Sequence, residues 1–182
     1  MAAKPLPSQA YLRQRLEYDE RTGAMTWRRR PVSDFNARNP ERGAKTWNSR
    51  FAGKAAFTAL TTGYRYGAID YTLYLAHRVI WKMVHGEEPD EIDHINGNRA
   101  DNRLENLRAV TGAENHRNMS RPRNNTSGVC GVSRANASSW EAYIHRADRK
   151  IGLGYFRSFD EAVAARKAAE VAYDYHPNHG RP

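Results

Sequence analysis

Residues 92–118 read IDHINGNRADNRLENLRAVTGAENHRN, and the rest of the chain is organised around this stretch. Asp93 and His94 open it on an extended segment. Gly97, Asn98, Asn102 and Asn106 follow, residue types that accept tight or left-handed backbone and favour turns over helix. Leu107-Arg108-Ala109-Val110 can form a short strand. Thr111 and Glu114 fit a capping box, the hydroxyl serving the Glu114 amide while the carboxylate reaches back. Asn115 then falls just beyond the first turn of a helix. The order is strand, loop, strand, helix, with polar side chains converging, and it predicts an α+β fold.

This set of side chains suits hydrolysis of a phosphodiester. The Asp93 carboxylate and the Asn115 amide oxygen are hard donors, appropriate for Mg²⁺ or Mn²⁺. A divalent ion held by two side chains keeps open positions for a phosphate oxygen and a leaving group. His94 points to the opposite side of an extended strand from Asp93. Its ordinary pKa near neutrality suits it to act as a general base. The Asn106 amide can fix the His94 ring or brace the loop.

The stretch resembles the HNH (ββα-metal) endonuclease family, in the Asn-ending variant of phages and self-splicing introns. The resemblance implies that Asp93 and Asn115 hold the metal and that His94 activates the attacking water. It implies that Asn106 keeps the loop and histidine in place. His116 follows Asn115 directly, and adjacent helical positions point about 100° apart, so only one of the two can face the metal. The resemblance assigns that place to Asn115. His77, in the His-Arg pair that this family carries ahead of its motif, either reaches the scissile phosphate as a catalytic aid or braces the fold.

Upstream, Ser8 can cap a short helix carrying Tyr11, Leu12 and Leu16 and ending near Tyr18. Residues 19–23 form a turn, and Ala24 to Trp27 a strand. The string YDERTGAMTWRRR is similar to the opening of phage HNH proteins. Residues 28–50 show little periodicity and are expected to be a loop, with Arg28 and Arg29 as candidate DNA contacts. Short strands are expected at Ala55–Phe57, Tyr64–Ile69 and Tyr71–Leu75. A core helix is expected over Ala76–His85, stopped by Gly86 and kept from resuming by Pro89.

Downstream, residues 120–128 read as a linker. Three strands are expected at Val129–Arg134, Trp140–His145 and Lys150–Phe156, then a helix with Ser158 and Glu161 as its capping box. Alternation puts Trp140, Ala142, Ile144, Ile151 and Leu153 on one face and Tyr143, His145 and Lys150 on the other. The helix covers the apolar face with Phe159, Ala162, Val163 and Ala169. A bare, basic sheet face is a plausible insert for the major groove. This unit resembles the Apetala/ethylene-response-factor DNA-binding domain in its GV strings, its tryptophan strand, LGYF and the alanine-rich helix after FDEA. That resemblance implies DNA contacts from Ser133, Tyr143, His145 and Lys150, with Arg134 nearby. HNH followed by such a domain is an arrangement of phage homing-type endonucleases.

The expected organisation is an N-terminal α+β extension over 1–72, an HNH core over 73–119, the linker over 120–128 and the DNA-binding sheet and helix over 129–182. The composition agrees. Lys and Arg number 29 against 20 Asp and Glu, a net charge of +9 that favours a polyanionic partner such as double-stranded DNA. The single cysteine, Cys130, excludes an intramolecular disulfide and a cysteine-based zinc cluster. The N-terminal residues offer no apolar core for a signal peptide, and no apolar run approaches a membrane span. A cytoplasmic monomer with no small-molecule cofactor is expected. A non-catalytic DNA-binding regulator and an RNA-binding protein are the competing classes.

Overall fold

The computed structural model describes residues 5–36, 38–112, 115, 121–122, 124–146, 149–175 and 179–180. The chain divides between Ala109 and Val110 into two units. The first begins with α1 (Gln9–Arg15), capped by the Ser8 hydroxyl, which accepts from the Tyr11 amide. The helix stops at Arg15 rather than near Tyr18. Leu16 turns extended because β1 (Leu16–Asp19) pairs antiparallel with β2 (Ala24–Trp27), Leu16 opposite Trp27.

The loop expected over residues 28–50 is instead a 3-10 turn at Val32–Asp34 and a three-turn helix, α2 (Pro40–Phe51). The local signals for α2 were Asn39, whose side chain accepts from the Arg42 amide, and Pro40 at the first helical position. Asn48 is buried and holds the helix to the incoming chain, accepting from the Arg30 amide and donating to the Arg30 carbonyl, both at 2.9 Å.

Next come β3 (Ala55–Ala56), β4 (Ala59–Thr61), β5 (Tyr64–Ile69) and β6 (Thr72–Leu75). The short β4 was not foreseen; its three residues are exposed and carry no burial signal. β6 starts at Thr72 because Asp70 and Tyr71 form a tight turn with φ of 44° and 64°. α3 (Ala76–His85) follows as expected and ends on Gly86, whose φ of 82° is open to glycine at little cost. β7 (Glu91–His94) and β8 (Leu107–Val110) then pair as a two-stranded sheet.

One core joins these elements: Leu12 from α1, Leu16 and Met25 from the β1–β2 hairpin, Phe57 and Ile69, then Val79 and Ile80 from α3, and Ile92 and Leu107. Leu12, Leu16, Val79 and Ile80 are essentially inaccessible, and each such side chain contributes about 1.5–3 kcal/mol. The segment before residue 73 therefore shares its core with the strands that carry Asp93 and His94.

In the second unit, β9 (Val132–Asn136), β10 (Ser139–Arg146) and β11 (Arg149–Phe156) form an antiparallel sheet with β10 central. β9 begins three residues later than expected. The preceding segment is tied down as a turn, the Ser127 hydroxyl donating to the Val132 carbonyl at 2.6 Å and Arg121 donating to the Gly128 carbonyl. The described part of the expected linker is thus folded onto this unit. α4 (Phe159–Ala172) has the expected capping box between Ser158 and Glu161. It covers the face with Val132, Trp140, Ala142 and Leu153, the Trp140 and Phe159 rings 4.8 Å apart. Burial of Arg166 and Glu170 was not foreseen. They pair at 3.0 Å, and Arg166 also donates to the Tyr143 carbonyl.

A candidate nuclease site around His94

β7 carries Asp93 and His94 to opposite sides, and both are buried, at 8% and 3% exposure. Asp93 faces Arg108 on β8, whose Nη2 and Nε donate to one carboxylate oxygen at 2.8 and 3.1 Å. Sequence reasoning gave Arg108 no role. Its place on the partner strand was the available signal, since side chains across a strand pair meet.

His94 lies within hydrogen-bond reach of Asn102, Nε2 to Oδ1 at 3.1 Å. Asn102 is as buried as His94, at 2%. With Nε2–H donating to that oxygen, Nδ1 is the nitrogen that carries the lone pair. The ring is framed by His77 from α3 at 5.2 Å, edge to face, and by Tyr64 from β5 at 5.8 Å. Tyr64 in turn lies under the Arg99 guanidinium, 4.9 Å from its centroid. Burial lowers the His94 pKa from its ordinary value, opposed by the Asn102 hydrogen bond and by Asp93.

Asn106 does not hold the His94 ring; it braces the loop. Its Oδ1 accepts from the Asn96 amide at 2.9 Å and its Nδ2 donates to the Asp101 carbonyl at 2.8 Å. Asn102, read from the sequence only as a turn former, is the residue that meets the histidine. Both sit in one asparagine-rich loop, and identity alone does not separate them. The loop is further fixed by Asp101, which binds Asn96 and Arg103 and is held down to about 2 chiefly by Arg103.

The N-terminal hairpin presses on the same loop. Tyr18 donates its hydroxyl to the Asn102 carbonyl at 2.9 Å, and its own pKa is pushed up to about 12, mainly by burial. Gly23, at φ 72°, passes so close that a Cβ there would sit 2.6 Å from the Arg103 amide nitrogen. Any side chain at Gly23 would displace the backbone that presents Asn102.

His77 is 6% exposed, and its Nδ1 has no partner among the described residues. Burial first, then His94 and Arg78, hold its pKa down to about 3. The ring stays neutral at working pH, while the unfolded chain takes up the proton near 6.5. Its contribution to stability is therefore complete above 6.5 and is lost as the pH falls toward 3, by at most about 1.4 kcal/mol per unit. Urea melts at pH 7, 6, 5 and 4 should show a steeper loss of stability for the native chain than for His77→Phe. Parallel slopes would mean that His77 titrates alike in the folded and unfolded states.

Asn115 is helical and lies in the second unit, its amide donating to the Thr111 carbonyl at 3.0 Å. His116 and Glu114, the alternative ligand and the capping-box partner, lie outside the described residues. Among the described residues no three His, Cys, Asp or Glu side chains cluster as a metal site. The chemistry of the donors nevertheless fits a hard divalent cation. The Asp93 carboxylate is a hard oxygen donor of the kind such an ion takes, and in this structure it is engaged by Arg108, which a bound cation would have to displace.

Of the other expected contacts, Arg28 and Arg29 are exposed, and Arg28 Nε donates to the Leu16 carbonyl at 3.0 Å. On β10 and β11, Tyr143, His145 and Lys150 share the face away from α4, with Ser133 opposite Glu141 on that same side. Two features differ from the bare basic face expected. Lys150 is paired with Glu141 at 2.7 Å and lies over the Tyr143 ring. Arg134 stands opposite Trp140, over its ring at 5.1 Å, and so is turned to the helix side.

Residues 74–117 match the family described as HNH endonuclease, and this match suggests a nuclease. HNH nucleases act on DNA and generally use a divalent metal ion. Protein 3.8 of Escherichia phage T7 is 42% identical to this chain over 59 residues, which cover 31% of the chain and 49% of that protein. The chain thus spans about half the length of this relative. No solved structure matches it. Among the described residues no helix is long and apolar enough to cross a membrane.

Proposed function

We propose that this chain is a metal-dependent endonuclease that hydrolyses phosphodiester bonds in double-stranded DNA, as a phage homing-type enzyme working as a monomer in the cytoplasm. The observation that carries the reading is the buried Asp93-His94 pair on β7, with His94 against Asn102. In this reading Nδ1 of His94 takes a proton from water as the water oxygen forms its bond to phosphorus. The phosphorus–leaving-oxygen bond breaks, and solvent protonates the oxygen that departs. Asn102 keeps the lone pair on Nδ1, His77 and Tyr64 keep the ring upright, and Asn106 keeps the loop closed. Asp93 would hold Mg²⁺ or Mn²⁺, with Asn115 the second ligand that the family resemblance implies, and the ion would supply Lewis-acid stabilisation of the charge that builds on the phosphate. His77, being neutral, supports His94 rather than donating a proton. The Apetala/ERF-like sheet over 129–182 supplies duplex contacts from Ser133, Tyr143, His145 and Lys150.

The Arg108–Asp93 ion pair favours a second reading, a non-catalytic DNA-binding protein, because it gives the carboxylate a structural partner. Purified protein incubated with supercoiled plasmid in Mg²⁺, Mn²⁺ or EDTA separates the two. Conversion to nicked or linear plasmid with metal and none in EDTA is expected. Intact plasmid in all three, with shifted mobility in a gel, would establish the second reading.

A further inference from the structure

The helix that replaced the expected loop carries a surface the nuclease site does not use. On α2, Arg42, Gly43, Thr46, Trp47, Arg50 and Phe51 fall at helical spacing on one stripe, with the capping Asn39 at its head. With Phe35 they line an open groove of about 460 Å³. Its apolar lining is aromatic: the Trp47 ring lies 5.2 Å from Phe51, 6.5 Å from Phe35 and 5.8 Å from Trp27. All four rings are only half-buried. From beneath, the Arg30 guanidinium stacks on Phe35 at 4.9 Å and on Trp47 at 5.2 Å. Gly43 keeps the groove open, since the site of its missing Cβ is 3.5 Å from the Phe35 ring.

The charges on the groove lining have one sign. Arg42 and Arg50 are exposed, and neither joins an ion pair among the described residues, while the Arg50 guanidinium lies over the Phe51 ring at 5.0 Å. Glu41 is the helix's sole acid. An aromatic floor edged by arginines that join no ion pair matches a planar, apolar base carried on a phosphate chain. A duplex offers phosphates but keeps its base faces stacked. A neutral protein surface would leave the charges of Arg42 and Arg50 without an anionic partner.

We propose that the α2 groove binds an unpaired DNA base, stacked on Trp47 and Phe35, with Arg42 and Arg50 holding the flanking phosphates. This rests on DNA being the substrate and adds that the enzyme grips a strand whose bases are unstacked.

The test uses the full chain in EDTA, so that nothing is cut, with a fluorescent 20-mer single strand and the blunt duplex of the same sequence as probes. Gly43→Leu fills the groove from a helix position where leucine is a better helix former than glycine. It should weaken single-strand binding about tenfold, the scale of one lost stacked base, and leave duplex binding within about twofold. Arg42→Gln/Arg50→Gln should weaken single-strand binding and flatten its slope of log affinity against log salt by roughly 1.4, about 0.7 per phosphate. A thermal melt by circular dichroism checks each fold. Single-strand affinity unchanged in both variants overturns the proposal, and this is also the result expected if the groove receives a protein. Equal weakening for duplex and single strand overturns it too, leaving a phosphate-binding face without a base site. Plasmid cleavage by the native chain is read separately. Cleavage with an indifferent groove leaves the nuclease standing and the groove proposal fallen, while no binding of either probe and no cleavage removes both.

Discussion

Replacing His94 with alanine is expected to slow plasmid cleavage by about 10²- to 10⁴-fold, the range lost when a positioned general base is removed. DNA affinity should stay within a few-fold, because the ring is buried and makes its polar contact with Asn102 rather than with the protein surface. The Asn102→Ala chain keeps the base but not its support, and a smaller loss, about tenfold, is expected there. The two together separate chemistry from positioning. A His94→Ala protein that is folded by its melt and cuts within tenfold of the native rate would remove His94 from the reaction.

The second large effect is at Asp93. Asp93→Ala should cut at least about 10³-fold more slowly, since several kcal/mol of transition-state stabilisation depend on the cation it would hold. It should also lower stability by about 1–3 kcal/mol, because Arg108 then loses a charged hydrogen-bond partner in a half-buried place. Asp93→Ala/Arg108→Ala removes the stranded charge as well. The double variant is expected to regain stability without regaining cleavage, measured by urea melts beside the plasmid assay. Recovery of both would show that the carboxylate serves only Arg108, and the metal assignment would fall.

Much of this arrangement was legible in the chain. Apolar spacing gave α3 and the three strands of the second unit, and capping chemistry gave Ser8 and Ser158 as helix starts. The Asp93-His94 pair was visible because neighbouring residues on a strand point apart and the flanking asparagines mark a turn. What escaped depended on contacts distant in sequence. α2 carries alanine, asparagine and glycine where a core helix would carry leucine, so its pattern read as loop. Asn102 and Asn106 are chemically alike, and only the closed loop decides which amide meets His94 and which meets Asn96. Arg108 meets Asp93 through strand pairing, and Arg134 turns to Trp140 through register, neither of which is written in residue type.

The shared core of the first unit bears on where this protein can be divided. Similarity to HNH endonucleases begins at residue 74, yet Leu12, Leu16, Met25 and Phe57 fill the interior behind α3, and Tyr18 and Gly23 back the loop that holds Asn102. A gene cut at the edge of the recognisable segment would encode strands and a helix whose apolar sides have nothing to close on. The HNH-like segment is thus not a portable cassette in this chain. Any recombination event that moved it intact would have had to carry the first seventy-odd residues as well, although they supply neither the proposed base nor a proposed metal ligand.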